Sequence, residues 1–186
     1  MSVSADGAPI RADFRRDAVR VLVPATSANL GPAFDSAGLA LDLVDELVAM
    51  VSDDPGILVE VLGEGSEDLP RDSSHLVVKA MTLAFTALGG VPEGFVLRCN
   101  NVIPHGRGLG SSAAAIIGGL VLARALVVDG RQRLSDDELL QLALTMESHP
   151  DNIAAALLGS FTIAWTSDAG IADAARMEVN PDLRAV

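Results

Sequence analysis

Pro104-His105-Gly106-Arg107-Gly108-Leu109-Gly110-Ser111-Ser112-Ala113-Ala114-Ala115 is the stretch whose reading decides the fold. It follows an extended, strand-like run from Phe95 to Ile103 and opens an apolar run from Ala113 to Val128. Three glycines at alternate positions let the backbone turn tightly and approach a ligand with no Cβ in the way. Ser111 and Ser112 stand where a helix should begin, offering an N-cap beside backbone N–H groups that lack an intrahelical partner. A glycine loop delivered onto a helix N-terminus is an anion site, most often for phosphate. Two other readings stay open on the residues alone. Gly108-Leu109-Gly110-Ser111-Ser112-Ala113 fits the dinucleotide pattern G-x-G-x-x-A, with Asp129 near the expected distance. A purely structural turn fits as well. No Gly-Lys-Ser/Thr follows the glycines, so a Walker A loop is excluded.

Working outward, the run Ala113 to Val128 is apolar nearly all round and predicts a buried helix of roughly 27 Å. Gly118-Gly119 and Arg124 interrupt it, which argues against a membrane span. Upstream, Leu76 to Leu88 carries apolar residues at helical spacing, with Ser73 or Ser74 as its cap and Gly89-Gly90 as its stop. Val19 to Pro24, Leu39 to Val51 and Ile57 to Leu62 read as strands. The last two flank Ser52-Asp53-Asp54-Pro55-Gly56, which reads as a hairpin connection. Between the first two strands lies a long, ordered loop of small polar residues. Downstream, Ser135-Asp136-Asp137-Glu138 is a capping-box pattern. Pro150 suits the first turn of a further helix, and Ser160 to Trp165 reads as a strand. Ala169 to Arg176 is expected to be a loop. Strands first, then helices mixed with strands, indicate an α+β fold.

The 186 residues suffice for one full domain. A hydrophobic content of 49% excludes a disordered or fibrous chain. The formal charge of −12 and the lack of a Lys/Arg cluster exclude a nucleic-acid surface. Lys79 is the single lysine, so a phosphate ligand near the loop would lean on Arg107, backbone amides or a metal ion. One cysteine, Cys99, rules out a disulfide framework and fits a cytoplasmic protein. Residues 1–18 are charged and aperiodic and are expected to form a flexible leader, with no apolar core of a signal peptide.

The loop Pro104 to Ala114 resembles the phosphate loop of the GHMP small-molecule kinases. Two more stretches resemble motifs of the homoserine kinase branch of that family. They are Pro24-Ala25-Thr26-Ser27-Ala28-Asn29-Leu30-Gly31-Pro32-Ala33-Phe34-Asp35-Ser36-Ala37-Gly38-Leu39-Ala40-Leu41 and Glu147-Ser148-His149-Pro150-Asp151-Asn152-Ile153. The order of all three is that of the family. The resemblance implies a GHMP-kinase N-terminal domain of the ribosomal protein S5 domain 2-like type over residues 19–176. Residues 177–186 would begin a ferredoxin-like C-terminal domain, mostly absent here. On that reading the chain is truncated, and by itself is expected to have weak or no kinase activity.

The activity implied is transfer of the γ-phosphoryl group of ATP to the side-chain hydroxyl of L-homoserine, a step toward threonine. Phosphoryl transfer asks a protein mainly to position groups and neutralise charge. By resemblance, Pro104, His105, Gly106, Arg107, Gly108, Leu109, Gly110, Ser111, Ser112, Ala113 and Ala114 hold ATP. Ser112 and Glu147 would ligate Mg²⁺, which favours an oxygen-only, partly hydrated sphere. Asn29, Asp35, His149 and Asn152 would contact homoserine. Asn152 matches a position where related GHMP kinases carry a base Asp. Asn takes no proton at neutral pH, so it is expected to position the acceptor, with no clear general base. The resemblance leaves room for a homodimer. Ala33 and Ser148 stand where the family has Gly, and would be strained if those positions needed φ > 0.

Overall fold

The computed structural model describes residues 11–180 and 182. The chain order is β1 (Val19–Leu30), β2 (Ala33–Ser52), β3 (Gly56–Gly63), α1 (Leu76–Ala87) and β4 (Gly94–Asn101), followed by α2 (Ser111–Leu126) and α3 (Gly130–Arg133). It ends with α4 (Asp136–Leu144), α5 (Pro150–Leu158), β5 (Phe161–Thr166) and β6 (Ala172–Met177). One six-stranded sheet runs β3-β4-β2-β5-β6, with β1 also paired to β2. The α+β expectation holds, with the sheet mixed: β3 and β4 are parallel and the other pairs antiparallel.

The twenty-residue β2 is the spine of the sheet. Its C-terminal half lies between β1 and β4, and its N-terminal half lies beside β5. Helices α2 and α5 cover one face, with α1 packed on α2. At Gly118 a Cβ would come within 2.4 Å of Leu47 Cδ1, and at Gly119 within 2.6 Å of the Val77 carbonyl oxygen. The two glycines therefore let α2 lie close to both the sheet and α1. Leu47, Leu97, Ile116, Leu120 and Leu122 are among the fully buried side chains of this interface. Each contributes about 1.5–3 kcal/mol relative to exposure. Arg124, the charge that breaks the apolar run, is buried and useful. Its guanidinium donates to the Leu134 carbonyl at 3.1 Å and to Asp136 Oδ1 at 2.7 Å, tying α2 to the start of α4.

Four expectations are corrected. The Ser52–Gly56 connection is no hairpin, because β4 inserts between β2 and β3 and pairs with both. The long loop after Val19–Pro24 is instead the arms of a β1–β2 hairpin. Leu30 pairs with Ala33 across the Gly31-Pro32 turn, and register shifts lie at Pro24/Thr26 and Ala28/Leu30. Ala172–Met177 is strand β6, satisfied by β5 rather than by a pattern of its own. The cap of α1 is His75, whose Nδ1 accepts the Val77 N–H at 3.2 Å. The capping box at Ser135 and Glu138 and Pro150 at the start of α5 stand as expected.

Of the leader, residues 1–10 lie outside the described residues. Residues 11–18 are fastened to the body: Phe14 bridges to Val127 and stacks edge-on with Phe85 at 5.5 Å. The Arg15 N–H donates to Leu126 O at 2.9 Å. An apolar side chain in a charged segment is enough to dock it. At the other end, residues 181 and 183–186 lie outside the described residues. No helix among the described residues is long and apolar enough to cross a membrane.

Candidate active site

The glycine loop lies between β4 and α2, and its entry is held by Asp45 of β2. Asp45 Oδ1 accepts the Val102 N–H at 2.6 Å and the Ile103 N–H at 2.9 Å. Burial pushes this carboxyl above its ordinary range, against the pull of those two donors and of nearby His105. Past the anchor, Gly106, Gly108 and Gly110 all have positive φ, between 66° and 73°. A Cβ at Gly106 or Gly108 would meet nothing within 4 Å, so the space beside the loop is open. Arg107 is exposed beside it and has no ion-pair partner among the described residues.

Gly110, not a serine, is the N-cap of α2, in the left-handed conformation. A Cβ there would fall 1.9 Å from Thr26 Oγ1. Ser111 and Ser112 are thus the first two helical residues, and their hydroxyls are free of the capping role. Thr26, fully buried on β1, holds the junction from the other side. Its N–H donates to the Leu109 carbonyl at 3.0 Å, and its hydroxyl donates to Asn152 Oδ1 at 2.7 Å. Sequence reasoning missed Thr26, although it stands within the motif quoted above. A hydroxyl among alanines and serines has no pattern that marks it.

One cleft of ≈ 440 Å³ gathers Asn29, Asp35, Glu147, His149, Asp151 and Asn152 around Gly110, Ser112 and Ala113. Residues more than a hundred positions apart in the chain meet here because α5 packs on β1 and β2. Asn29 and Asp35 both have positive φ, and the Asp35 N–H donates to Asn29 Oδ1 at 3.0 Å. Extra residues of β2 at this irregular register push Asp35 out at the rim. Ala33 and Ser148 do not have positive φ, so neither carries the strain considered for it. His149 Nδ1 lies 3.4 Å from Glu147 Oε1 and 3.2 Å from Ser148 Oγ. Asp151 is buried; its Oδ1 accepts the Asn152 N–H at 2.8 Å, and its Oδ2 has no partner among the described residues.

A second cleft of ≈ 190 Å³ lies on the other side of Ser112. Val23, Leu47, Leu69, Leu76 and Val77 make it apolar, and Ser111 and Ser112 lie at its edge with His75 and His105. His75 is buried, its pKa lowered chiefly by that burial, and its Nε2 has no partner among the described residues. Pro104 and Ala114 flank the loop, with Ala114 N–H donating to Gly110 O at 2.9 Å.

The hard oxygens of Ser112 and Glu147 line one cleft. No group of three or more His, Cys, Asp or Glu side chains could form a metal cage among the described residues. Two protein oxygens fit Mg²⁺, which keeps several waters and takes phosphate oxygens as further ligands. The dinucleotide reading fails on topology. After α2 the chain continues into three more helices before β5, which pairs with β2 and β6 rather than with β4. Asp129 lies past the far end of α2, roughly 24 Å from the loop.

Comparison with known proteins agrees with this geometry. The GHMP kinases N terminal domain matches residues 75–160. The homoserine kinase of Streptomyces coelicolor is 57% identical over 165 residues, covering 89% of this chain and 53% of that protein. The homoserine kinase of Mycobacterium tuberculosis is 47% identical over 167 residues, covering 88% and 52%. Among solved structures, homoserine kinase from Cytophaga hutchinsonii superposes with a TM-score of 0.75 at 27% identity, over 90% of this chain and 54% of that one. An L. major mevalonate kinase shares the fold, with a TM-score of 0.65 at 14% identity over 89% and 54%. The chain spans about half the length of the curated relatives it matches. With the glycine loop, both clefts and this likeness in place, the chain belongs to the GHMP kinases, as a homologue of the homoserine kinases that carries their N-terminal domain.

Proposed function

We propose that this protein carries the ATP and acceptor sites of a kinase that transfers the γ-phosphoryl group of ATP to the side-chain hydroxyl of L-homoserine, giving O-phospho-L-homoserine and ADP, with weak turnover expected of this chain by itself. The observation that carries the proposal is the cleft in which Asn29, Asp35, His149 and Asn152 meet the end of the glycine loop at Gly110 and Ser112. The apolar cleft beyond Ser112 takes the nucleoside, and the loop amides with Arg107 take the phosphates. Ser112 and Glu147 hold Mg²⁺, which supplies positive charge to the phosphate oxygens. Asp35 receives the substrate ammonium group, and Asn152 orients the hydroxyl.

In the transfer, the bond from the γ-phosphorus to its bridging oxygen breaks and a bond to the homoserine hydroxyl oxygen forms. ADP leaves, and the hydroxyl proton passes to water. No side chain here is assigned as base. Asp151 is buried with Oδ1 held by the Asn152 N–H, adjacent helical residues point about 100° apart, and Asn152 cannot accept a proton at neutral pH. Position and charge therefore do the work, as this reaction class allows.

Homoserine-dependent ADP release tests the proposal, with mevalonate as the control acceptor. Asn152→Ala is expected to lower kcat at least as much as Asp151→Ala. A collapse of kcat confined to Asp151→Ala would move the base role to Asp151 and overturn this account of the proton.

A further inference from the structure

Thr26 lies under the cleft rather than in it, and three contacts converge on it. Its N–H holds the Leu109 carbonyl at 3.0 Å, its hydroxyl donates to Asn152 Oδ1 at 2.7 Å, and Gly110 packs so close that a Cβ would sit 1.9 Å from Oγ1. Glycine at 110 is what makes room for that hydroxyl. The consequence concerns the direction of the Asn152 amide. The Thr26 bond takes one of the two lone pairs of Oδ1 and fixes the flip of the amide, so the opposite end is the Nδ2 group, which can only donate. The same logic applies at Asn29, whose Oδ1 accepts the Asp35 N–H at 3.0 Å. Both amides of the cleft have their acceptor ends engaged by the protein.

Resting on the proposed acceptor site, we infer that Thr26 is a positioning residue that locks Asn152 as a hydrogen-bond donor to the acceptor oxygen. A donor at that oxygen fixes its place without removing its proton. The lone pair then faces the phosphate, and the hydroxyl hydrogen points elsewhere. Thr26 also couples the two substrates mechanically. One residue bonds both the glycine loop and the amide that orients the acceptor, so loop and amide keep a common register. Side chains held within about 0.5 Å by such support are the requirement for in-line transfer, and a misplacement of about 1 Å costs about 100-fold in rate.

The test uses the whole chain with Thr26→Val, which keeps the shape and removes the donor, Thr26→Ser, which restores it, and Asn152→Asp. Thermal melting first confirms that each variant folds. In ¹⁵N-labelled protein the Asn152 side-chain amide gives two resonances that Thr26→Val moves or averages and Thr26→Ser leaves near their wild-type positions. In ADP release, Thr26→Val is expected to lose about 100-fold in kcat with KM for ATP unchanged, and Thr26→Ser to recover most of it. Asn152→Asp places an acceptor where the donor was, and its rate profile gains an acidic limb that the wild type lacks. Wild-type Asn152 resonances in Thr26→Val, or wild-type kcat, would overturn the inference. No homoserine-dependent turnover in the wild type, with the resonance shift present, would instead sink the acceptor assignment and leave the Thr26 lock standing.

Discussion

Single residues carry the chemistry of this molecule through what they prevent as much as through what they touch. Gly110→Ala puts a methyl against the buried Thr26 hydroxyl at a left-handed position. The conformation alone costs on the order of 1 kcal/mol. With the clash added, the melting temperature is expected to fall by about 3–8 °C, and the ATP-induced rise in melting temperature to disappear. Asp45 gives a pH signature. Its folded carboxyl titrates above the unfolded one because burial outweighs its hydrogen bonds. The folded state therefore binds the proton more readily, and the ionised form costs stability as pH rises through the folded value. Asp45→Asn keeps an acceptor for Val102 and Ile103 and removes that cost. Its stability gain in denaturant titration should be present at neutral pH and shrink as pH falls through the carboxylate range. Asp45→Ala orphans the buried Ile103 N–H and the partly buried Val102 N–H and should destabilise by about 1–3 kcal/mol at any pH. The candidate residues themselves were legible in the sequence, because each lies within a motif. Thr26 and His75 were not: their importance comes from a partner or a cleft that only the folded chain brings near.

At the scale of elements, local signals served well and non-local ones did not. The Ser135–Glu138 box is a pattern confined to one turn, and both of its reciprocal hydrogen bonds form, at 2.7 and 3.2 Å. Ser135→Ala should cost about 1 kcal/mol, read as a drop of about 2–4 °C in melting temperature, since α4 and the Arg124 tie share that corner. The β2–β3 link looked equally local, two strands around an Asp-Pro-Gly turn. Its true partner, β4, arrives some forty residues later and takes both edges. Periodicity reports which face of a strand is buried, not which strand lies beside it. For the same reason β6 was invisible. Its residues Ala172–Met177 are mostly exposed and half of them are alanine, with no apolar alternation, and only the ladder with β5 makes them a strand. The hairpin β1–β2 was hidden differently. Small polar residues between Ala25 and Gly38 read as a loop, yet they belong to paired strands with shifted register. Those shifts aim Asn29 and Asp35 into the cleft.

For the whole molecule, the arrangement is a helical layer on one side of a sheet, with the glycine loop at the edge where β4 gives way to α2. The two clefts share Ser112, one apolar and one polar, and phosphoryl transfer between bound molecules needs that adjacency. The opposite face of the sheet carries a row of exposed Leu58, half-buried Val96 and exposed Met50 across β3, β4 and β2, flanked by the Arg98–Glu60 and Arg20–Glu46 pairs. Exposed pairs of that kind contribute little to stability. Both clefts lie on the helical side. The direct measurement is a thermal-shift titration with ATP and Mg²⁺, with and without L-homoserine, on the wild type and on Gly110→Ala. A concentration-dependent rise in melting temperature with ATP and Mg²⁺ is expected, which homoserine increases and Gly110→Ala abolishes. A wild-type melting temperature unmoved by millimolar ATP and Mg²⁺, or moved equally in Gly110→Ala, would contradict it.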